Sequence, residues 1–302
     1  MKKKIAVLTM AALMAVSAAG CSGSQGETEA AASAETTETG SEEAGSEEAG
    51  SEEAGSEEAG SEEAGSEETG EGAAAELETA QEGKLVMVTN AEFPPYEYHE
   101  GDQIVGIDAE IAAAIAQELG LELEIEDIAF DSIIPELVSG KADFAMAGMT
   151  VTEERKASVD FSNTYAQASQ KVIVKEGSDI ASPDDLAGKI VGVQLGTTGD
   201  IYVTDLEAEG TTVERYSKGF EAVQALSQNK IDAVVIDEQP AQVFVGQTEG
   251  LVILEESFTD EEYAAAVKKG NTALLDAING ALASLEESGK LDEIVAKYIT
   301  AE

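Results

Sequence analysis

Two charged side chains of opposite sign stand where proteins commonly bind small ions. Arg155 follows Thr152 and two glutamates, a pattern that predicts a helix cap and an acidic first turn. A guanidinium beside the free backbone N–H groups of a helix start suits a carboxylate. Asp237 ends an apolar run that predicts a buried strand, and ligands of open α/β sheets bind at that edge. The two residues are therefore candidates for binding a small charged ligand.

Both residues also have a plainer structural interpretation, which the sequence leaves open. Arg155 could pair with Glu153 or Glu154 on a solvated surface, and Asp237 could cap a helix that begins at Glu238. The turn Gly196-Thr197-Thr198-Gly199 lies between a predicted strand and a predicted helix, where it could offer N–H groups and a hydroxyl to a carboxylate. Alone, this turn is weak evidence, because many strand-to-helix turns have a similar composition.

The composition excludes several other kinds of chemistry. The 302 residues contain 62 Asp and Glu against 17 Lys and Arg, a formal net charge of −45, so nucleic acid and anionic membrane surfaces are poor partners. Cys21 is the only cysteine and His99 the only histidine, so the chain can form neither an internal disulfide nor a Cys/His zinc site. His99 lies in a polar turn and is expected to be solvated. We expect no metal, no cofactor and no nucleic-acid partner.

Residues 1–20 are typical of a lipoprotein signal peptide. Three lysines precede an apolar stretch over residues 5–19, which has the length of a signal core and is too short to span a membrane. The stretch Ala18-Ala19-Gly20-Cys21 resembles the bacterial lipobox, in which the peptide is cut before a cysteine that becomes diacylated. We therefore expect lipidation of Cys21 and attachment to the membrane through this anchor. An ordinary signal peptide with an incidental thiol is the alternative.

Residues 21–82 are predicted to form a disordered tether. From residue 22 onward they contain 20 glutamates, no aspartate, no Lys or Arg and no aromatic residue. A Ser-Glu-Glu-Ala-Gly repeat occurs five times from Ser41, and a degenerate copy follows at Ser66. Regular glycines and adjacent glutamates disfavour a helix and a core, and such a chain would reach about 45 Å. A weak calcium-collecting tract is the alternative, but these residues build no coordination cage.

Residues 84–302 alternate predicted strands and helices, the rhythm of an α/β protein. The strand patterns cover residues 84–89, 121–125, 142–146, 189–193, 231–236 and 251–254, and helices follow residues 108, 132 and 196 and cover 220–228 and 272–298. Asp108 is expected to cap the first helix and Gly120 to end it. We expect an α/β fold with no membrane-spanning segment in this part.

Six motifs in this part, read in order, resemble those of one family. They are Thr89-Asn90-Ala91-Glu92-Phe93-Pro94-Pro95-Tyr96-Glu97-Tyr98, Val105-Gly106-Ile107-Asp108-Ala109-Glu110-Ile111, Phe130-Asp131-Ser132-Ile133-Ile134-Pro135-Glu136-Leu137, Met146-Ala147-Gly148-Met149-Thr150-Val151-Thr152-Glu153-Glu154-Arg155-Lys156, Val193-Gln194-Leu195-Gly196-Thr197-Thr198-Gly199 and Ala233-Val234-Val235-Ile236-Asp237. The chain resembles the extracytoplasmic solute-binding proteins, family 3, of polar amino-acid ABC transporters, over residues 84–302. The resemblance implies the two-lobed type II periplasmic-binding-protein fold, in which each lobe is a central, mostly parallel sheet flanked by helices.

The resemblance also implies lobe boundaries and ligand-binding residues. Lobe 1 should comprise residues 84–167 and 264–302, and lobe 2 residues 168–263, with strands at 170–175 and 263–267 crossing between them as a hinge. Arg155 should bind the ligand's carboxylate and Asp237 its ammonium group, with Thr150 and the backbone of Gly148 completing these contacts. Two aromatic rings should contact the ligand's side chain. The full set of expected ligand-binding residues is Asn90, Phe93, Phe130, Gly148, Thr150, Arg155, Thr198 and Asp237.

The implied function is that of a monomeric receptor that captures a polar amino acid and delivers it to an ABC permease on the outer face of the cytoplasmic membrane. The alternative is an extracytoplasmic prephenate or arogenate dehydratase on the same fold; a sensory domain is a third possibility. Asn90 bears on specificity, because relatives that bind basic amino acids often carry Asp here and Asn offers no charge. We predict a neutral polar or basic ligand rather than aspartate or glutamate, unless Asn90 only holds its own turn.

Overall fold

The computed structural model describes residues 77–299. The predicted signal peptide, Cys21 and the tether up to residue 76 lie outside the described residues. The end of the predicted tether belongs to the fold instead: Leu77 packs against the core, and the Ala80 N–H donates a 2.6 Å hydrogen bond to Asp143. The contacts of residues 77–82 thus correct the predicted tether boundary, which the charge pattern had placed at residue 82.

Strands and helices alternate along the described chain. The strands are β1 (Lys84–Thr89), β2 (Glu92–Phe93), β3 (Glu97–Glu100), β4 (Gln103–Val105), β5 (Glu122–Asp127), β6 (Phe144–Ala145), β7 (Val159–Lys175), β8 (Ile190–Gln194), β9 (Thr212–Tyr216), β10 (Ala233–Asp237), β11 (Leu251–Ile253) and β12 (Thr259–Lys268). The helices are α1 (Ile107–Leu119), α2 (Ile133–Ser139), α3 (Glu153–Lys156), α4 (Thr198–Asp205), α5 (Gly219–Ser227), α6 (Glu238–Gly246), α7 (Thr272–Glu287) and α8 (Lys290–Tyr298). None of these helices is long and apolar enough to cross a membrane.

Two groups of parallel strands lie at opposite ends of one curled sheet. Its order is β5-β1-β6-β12-β7-β10-β8-β9, with β11 also paired to β7. β1 pairs in parallel with β5 and β6, and β8 pairs in parallel with β9 and β10. The long strands β7 and β12 run antiparallel to each other and connect the two groups. A separate small sheet, β2-β3-β4, follows β1.

The first strand lies between two layers of helices. Leu85 and Met87 pack on one face of β1 with Ile107 of α1, while the alternate residues Val86 and Val88 pack on the other face with α2. An apolar run without polar alternation is what a parallel strand covered on both faces requires. The expected α/β layering is therefore present.

Asp108 has a different position from the one predicted. α1 begins at Ile107 with Gly106 as its cap residue, so Asp108 lies inside the first turn and is fully buried. Its carboxylate accepts hydrogen bonds from the Gly148 N–H at 2.8 Å and the Tyr165 hydroxyl at 2.7 Å. A local cap was predicted because Asp at a helix start usually caps, but these distant donors hold the side chain in the core. The predicted end of the helix at Gly120 is correct.

Other predicted elements differ from the observed ones mainly at their ends. β6 pairs over two residues rather than over the predicted 142–146. The crossings β7 and β12 are longer than the predicted 170–175 and 263–267. Their outer parts mix buried residues with partly and fully exposed ones, so they lack the continuous apolar run on which the shorter prediction depends.

Candidate functional site

The eight predicted ligand-binding residues surround a single cavity. Residues from both groups of parallel strands line it, so a ligand bound here would contact both ends of the sheet. The predicted residues that line it are Asn90, Phe93, Phe130, Gly148, Thr150, Arg155, Thr198 and Asp237. Four further lining residues were not predicted from the sequence: Glu97, Ala147, Gln194 and Thr197.

Arg155 is buried in the wall of the cavity. Thr152 caps α3 by accepting a hydrogen bond from the Arg155 N–H, as predicted, and the side chain is 6% exposed. Its guanidinium donates to the carbonyl of Thr150 at 2.7 Å and to that of Gly196 at 3.2 Å, and its centre lies 5.4 Å from the centre of the Phe130 ring. These contacts use two of its five N–H donors and leave others for a ligand.

The surface ion pair considered for Arg155 does not form. Glu153 pairs with Lys156 at 2.9 Å instead, on the exposed side of α3. α3 has only four residues, so its dipole would add little to anion binding. The guanidinium is the charged donor at this position.

Asp237 is buried at the junction of β10 and α6. Its backbone stands at the cap position of α6, but its side chain makes no capping hydrogen bond, so the plainer interpretation as a helix cap fails. The carboxylate accepts hydrogen bonds from Tyr263 and, at 2.7 Å, from Gln170 Nε2. Burial first, and then the charge of Glu261, raise the pKa of Asp237 to about 7. Its hydrogen-bond donors among the described residues are neutral, so no ion pair favours its ionised form.

The turn before α4 presents a helix start to the cavity. Thr197 caps α4, accepting from the Asp200 N–H at 3.3 Å, and Thr198 is the first helical residue. The N–H groups at the first positions of a helix have no partner within it, so α4 can direct two of them at an anion. The sequence predicted that the Thr198 hydroxyl could bind the carboxylate of the ligand. In the structure this hydroxyl donates a hydrogen bond to the carboxylate of Glu261 at 3.0 Å.

Asn90 joins the two ends of the sheet. Its Nδ2 donates to the carbonyl of Ile128 at 2.8 Å, and its Oδ1 accepts from Gln194 Nε2 at 2.9 Å. Asn90 follows β1 and Gln194 ends β8, so this contact crosses the cavity. The side chain therefore does more than hold its own turn. A second contact across the same gap is the ion pair between Lys218 and Glu92.

Phe93, Phe130 and Gly148 shape the apolar wall. Phe93 is buried and stacks on Tyr96, with ring centres 6.1 Å apart, while Phe130 is partly buried. Gly148 has a φ of 51°, and a Cβ atom here would lie 2.8 Å from Phe93 Cε1. Only glycine fits this position without moving the ring. The Gly148 N–H is already bonded to Asp108, so of its two backbone groups the carbonyl is left for a ligand.

Glu97 is the most unusual residue of the lining. It is completely buried on β3, and no N–H or hydroxyl group among the described residues donates to it. Its carboxyl group is hydrogen-bonded to that of Asp108. Burial and the neighbouring Asp108 raise the pKa of Glu97 well above its ordinary value, and burial raises that of Asp108 to about 6. The sequence signal was a lone Glu between aromatic residues in a short strand. It was missed because Glu in such strands usually faces solvent.

Glu261 is a second carboxylate that the sequence did not identify. It is 5% exposed on β12, and its Oε2 accepts from the hydroxyls of Thr150 and Thr198. The signal was its spacing of two from the fully buried Tyr263, because alternate residues of a strand share a face. The adjacent Glu262 is exposed and obscures this pattern.

The described residues contain no group of His, Cys, Asp and Glu that could hold a metal ion. His99, expected to be simply solvated, is half-exposed, and its Nε2 lies 2.8 Å from Asp127 Oδ2.

Comparisons with known proteins agree with this arrangement. The model of the bacterial extracellular solute-binding proteins, family 3, matches residues 85–301. The arginine-binding extracellular protein ArtP of Bacillus subtilis (strain 168) is 36% identical over 222 residues, covering 72% of this chain and 87% of the relative. A probable histidine-binding protein of Neisseria gonorrhoeae is 34% identical over 239 residues, covering 77% and 89%.

A solved structure of an ancestral arginine-binding protein bound to arginine matches with a TM-score of 0.70 and 43% identity, covering 72% of this chain and 98% of that one. This likeness confirms the two-lobed α/β fold implied by the motifs. With the family model matching most of the chain, the likeness also confirms the predicted family. The chain belongs to the bacterial extracellular solute-binding proteins of family 3.

Proposed function

We propose that this protein is the receptor of an ABC importer for a polar amino acid, and that it prefers one with a cationic side chain. One observation carries the proposal: a single cavity is lined by a guanidinium, Arg155, a buried carboxylate, Asp237, and a further carboxylate, Glu97, that has no donor among the described residues. A basic amino acid carries one carboxylate and two cations, and its second cation would favour the ionised form of Glu97.

The two charges common to all amino acids match the first two groups. The free N–H donors of Arg155 and the start of α4 suit the ligand's carboxylate. Asp237 suits the ammonium group, because a bound cation would supply the charge that its buried carboxylate lacks. Phe93 and Phe130 offer apolar surface to the ligand's carbon chain.

Glu97 suits a positive charge on the side chain of the ligand. Two carboxylates, Glu97 and Asp108, are buried side by side without a Lys or Arg partner among the described residues. A guanidinium or ammonium group would pair with Glu97 and offset its burial. An anionic side chain would add a further negative charge to this group. Two relatives, ArtP and the ancestral protein, are named for arginine, which supports a cationic side chain, although the ancestral protein is also described bound to glutamine.

The test compares a ligand with a cationic side chain, L-arginine, and one with a neutral polar side chain, L-glutamine, on Glu97→Gln. The variant should weaken arginine binding at least tenfold relative to glutamine, about the worth of one charge-assisted hydrogen bond. Glu100→Gln is the matched control, because Glu100 lies on the same strand and is exposed. Equal losses for both ligands in Glu97→Gln, measured by calorimetry, would contradict the cationic preference.

We further infer that the two lobes move as bodies about β7 and β12, with lobe 1 at residues 84–167 and 264–302 and lobe 2 at residues 168–263. The support is topological: β7 and β12 connect the two groups of parallel strands. Around the cavity, side-chain contacts such as that between Asn90 and Gln194 cross from one proposed lobe to the other, as expected when a hinge closes.

For the cell, we infer lipidation at Cys21 and display on the outer face of the cytoplasmic membrane, with the tether as a spacer and the permease as partner. The support is the lipobox-like sequence and the family, whose members are described as extracellular. Fractionation of cells that express Cys21→Ser tests the anchor. Loss of the variant from the membrane fraction is expected, and equal retention of both forms would contradict lipidation.

A further inference from the structure

Glu261 is a buried carboxylate to which the proposed function gives no role. It lies on β12 beside the cavity, two residues before Tyr263. Its Oε2 accepts hydrogen bonds from the Thr150 hydroxyl at 2.7 Å, from the Thr198 hydroxyl at 3.0 Å and from Gln170 Nε2 at 3.1 Å. Its Oε1 is buried without a partner among the described residues.

These contacts fix the direction of both hydroxyl groups. A threonine hydroxyl has one proton and an ionised carboxylate can only accept, so Thr150 and Thr198 each point their proton at Glu261. The Thr198 oxygen also accepts from Gln170 Nε2 at 3.2 Å. Thr150 lines the cavity, and there its hydroxyl offers lone pairs. It can accept a hydrogen bond from a ligand but cannot donate one.

We infer that Glu261 is a positioning residue for the ligand's α-ammonium group. By taking the proton of Thr150, it makes this hydroxyl an acceptor that receives the ammonium together with Asp237. The ligand's carboxylate is then left to Arg155 and the start of α4. This inference rests on the proposed function, which supplies the amino-acid ligand. It adds the reason why Thr150 binds the ammonium end of that ligand and not its carboxylate end.

The charges around Glu261 favour the same orientation of the ligand, with its ammonium group near Thr150. Glu261 and Asp237 both accept from Gln170 Nε2, and Arg155 is the cation on which both charges act. Both buried carboxylates accept hydrogen bonds from neutral donors, so an ammonium group bound beside them would balance the charge. A ligand carboxylate placed at the Thr150 hydroxyl would find no donor there and would meet two negative charges.

The experiment compares Glu261→Gln with the wild-type protein on two probes, L-arginine and 5-guanidinopentanoic acid, which is arginine without its α-ammonium group. Glu262→Gln is the matched control, because Glu262 is the next residue on β12 and is exposed. Calorimetry gives the affinities, and thermal unfolding of each ligand-free variant shows that it folds. A purely structural role of Glu261 would change both affinities by the same factor.

We expect Glu261→Gln to weaken arginine binding at least tenfold while it changes the binding of the desamino probe less than threefold, and Glu262→Gln to change neither. Equal losses for both probes would overturn the inference. Tighter arginine binding by Glu261→Gln would also overturn it, because Glu261 in the wild-type protein would then be competing with the ligand's carboxylate for hydrogen-bond donors. Failure of the wild-type protein to bind arginine or any other amino acid would overturn the proposed function instead.

Discussion

Replacement of Asp237 by Asn should stabilise the ligand-free protein while it weakens ligand binding. The pKa of Asp237 rises from 3.8 to about 7 because burial and Glu261 disfavour its charge. At about 1.4 kcal/mol for each pH unit, this rise costs the ionised folded state about 4 kcal/mol above pH 7. Asn carries no charge and avoids this cost. It loses about 1 kcal/mol because one hydrogen bond of the carboxylate is disrupted.

The net gain in the free energy of unfolding at pH 8 is therefore about 3 kcal/mol, which for a folded part of this size raises the melting temperature by about 6 to 12 °C. The gain should depend on pH. Because the folded-state pKa lies above the unfolded one, the folded protein holds an extra proton between pH 3.8 and about 7. The stability of the wild-type protein thus falls as the pH rises through this window, and that of Asp237→Asn does not fall for this reason.

The assay is thermal unfolding of ligand-free protein at pH 4 and pH 8, followed by calorimetry with arginine. Asp260→Asn serves as the control, because Asp260 is exposed on β12 and loses the same charge. We expect a large difference in melting temperature at pH 8, a small one at pH 4, and weaker arginine binding by Asp237→Asn. A variant that is less stable than the wild type at pH 8 would refute the account of Asp237 as a carboxylate that lacks its cation.

Three other predictions concern the same site. Arg155→Ala should weaken amino-acid binding by about 2 to 5 kcal/mol, because the ligand's carboxylate loses its charged partner. Lys156→Ala, on the exposed side of α3, should not weaken binding, and normal binding by a folded Arg155→Ala would contradict the role of Arg155 as that partner. Saturating arginine should reduce the radius of gyration in solution scattering if the lobes close about β7 and β12, and an unchanged radius would count against the hinge. Asn90→Asp should raise the affinity for arginine relative to glutamine by about tenfold or less, because the variant gains a negative charge but loses the hydrogen bond that Nδ2 donates to the carbonyl of Ile128. A shift of preference toward glutamine in a competition assay would contradict this prediction.

The sequence predicted those site residues whose position follows from local patterns. Arg155 and Asp237 stand next to a helix cap and at a strand end, and the α/β rhythm brings such positions to one edge of the sheet. The structure places both in the cavity wall, beside the two aromatic residues that the motifs indicated. Local patterns and ordered motifs were sufficient for this part of the site.

The residues that the sequence did not identify depend on distant contacts. Glu261 is remote in sequence from Thr150, and the pairing of β12 with the segment at Thr150 brings them together. Glu97 is unusual because it is buried beside a second acidic residue, Asp108. This arrangement results from the packing of α1 against β3 and β4. Such pairings depend on strand register and helix packing, which a single sequence does not specify. For the same reason Asp108 was taken for a helix cap.

The most direct test of the central claim is titration of the wild-type protein with L-arginine, L-glutamine and L-glutamate in a calorimeter at pH 7. We expect one site per chain, with arginine bound most tightly, glutamate most weakly, and arginine recovered unchanged. In the same preparation, prephenate and arogenate should not be consumed. Tightest binding of glutamate, or turnover of either cyclohexadienyl acid, would contradict the assignment of Arg155, Asp237 and Glu97 to the three charges of a basic amino acid.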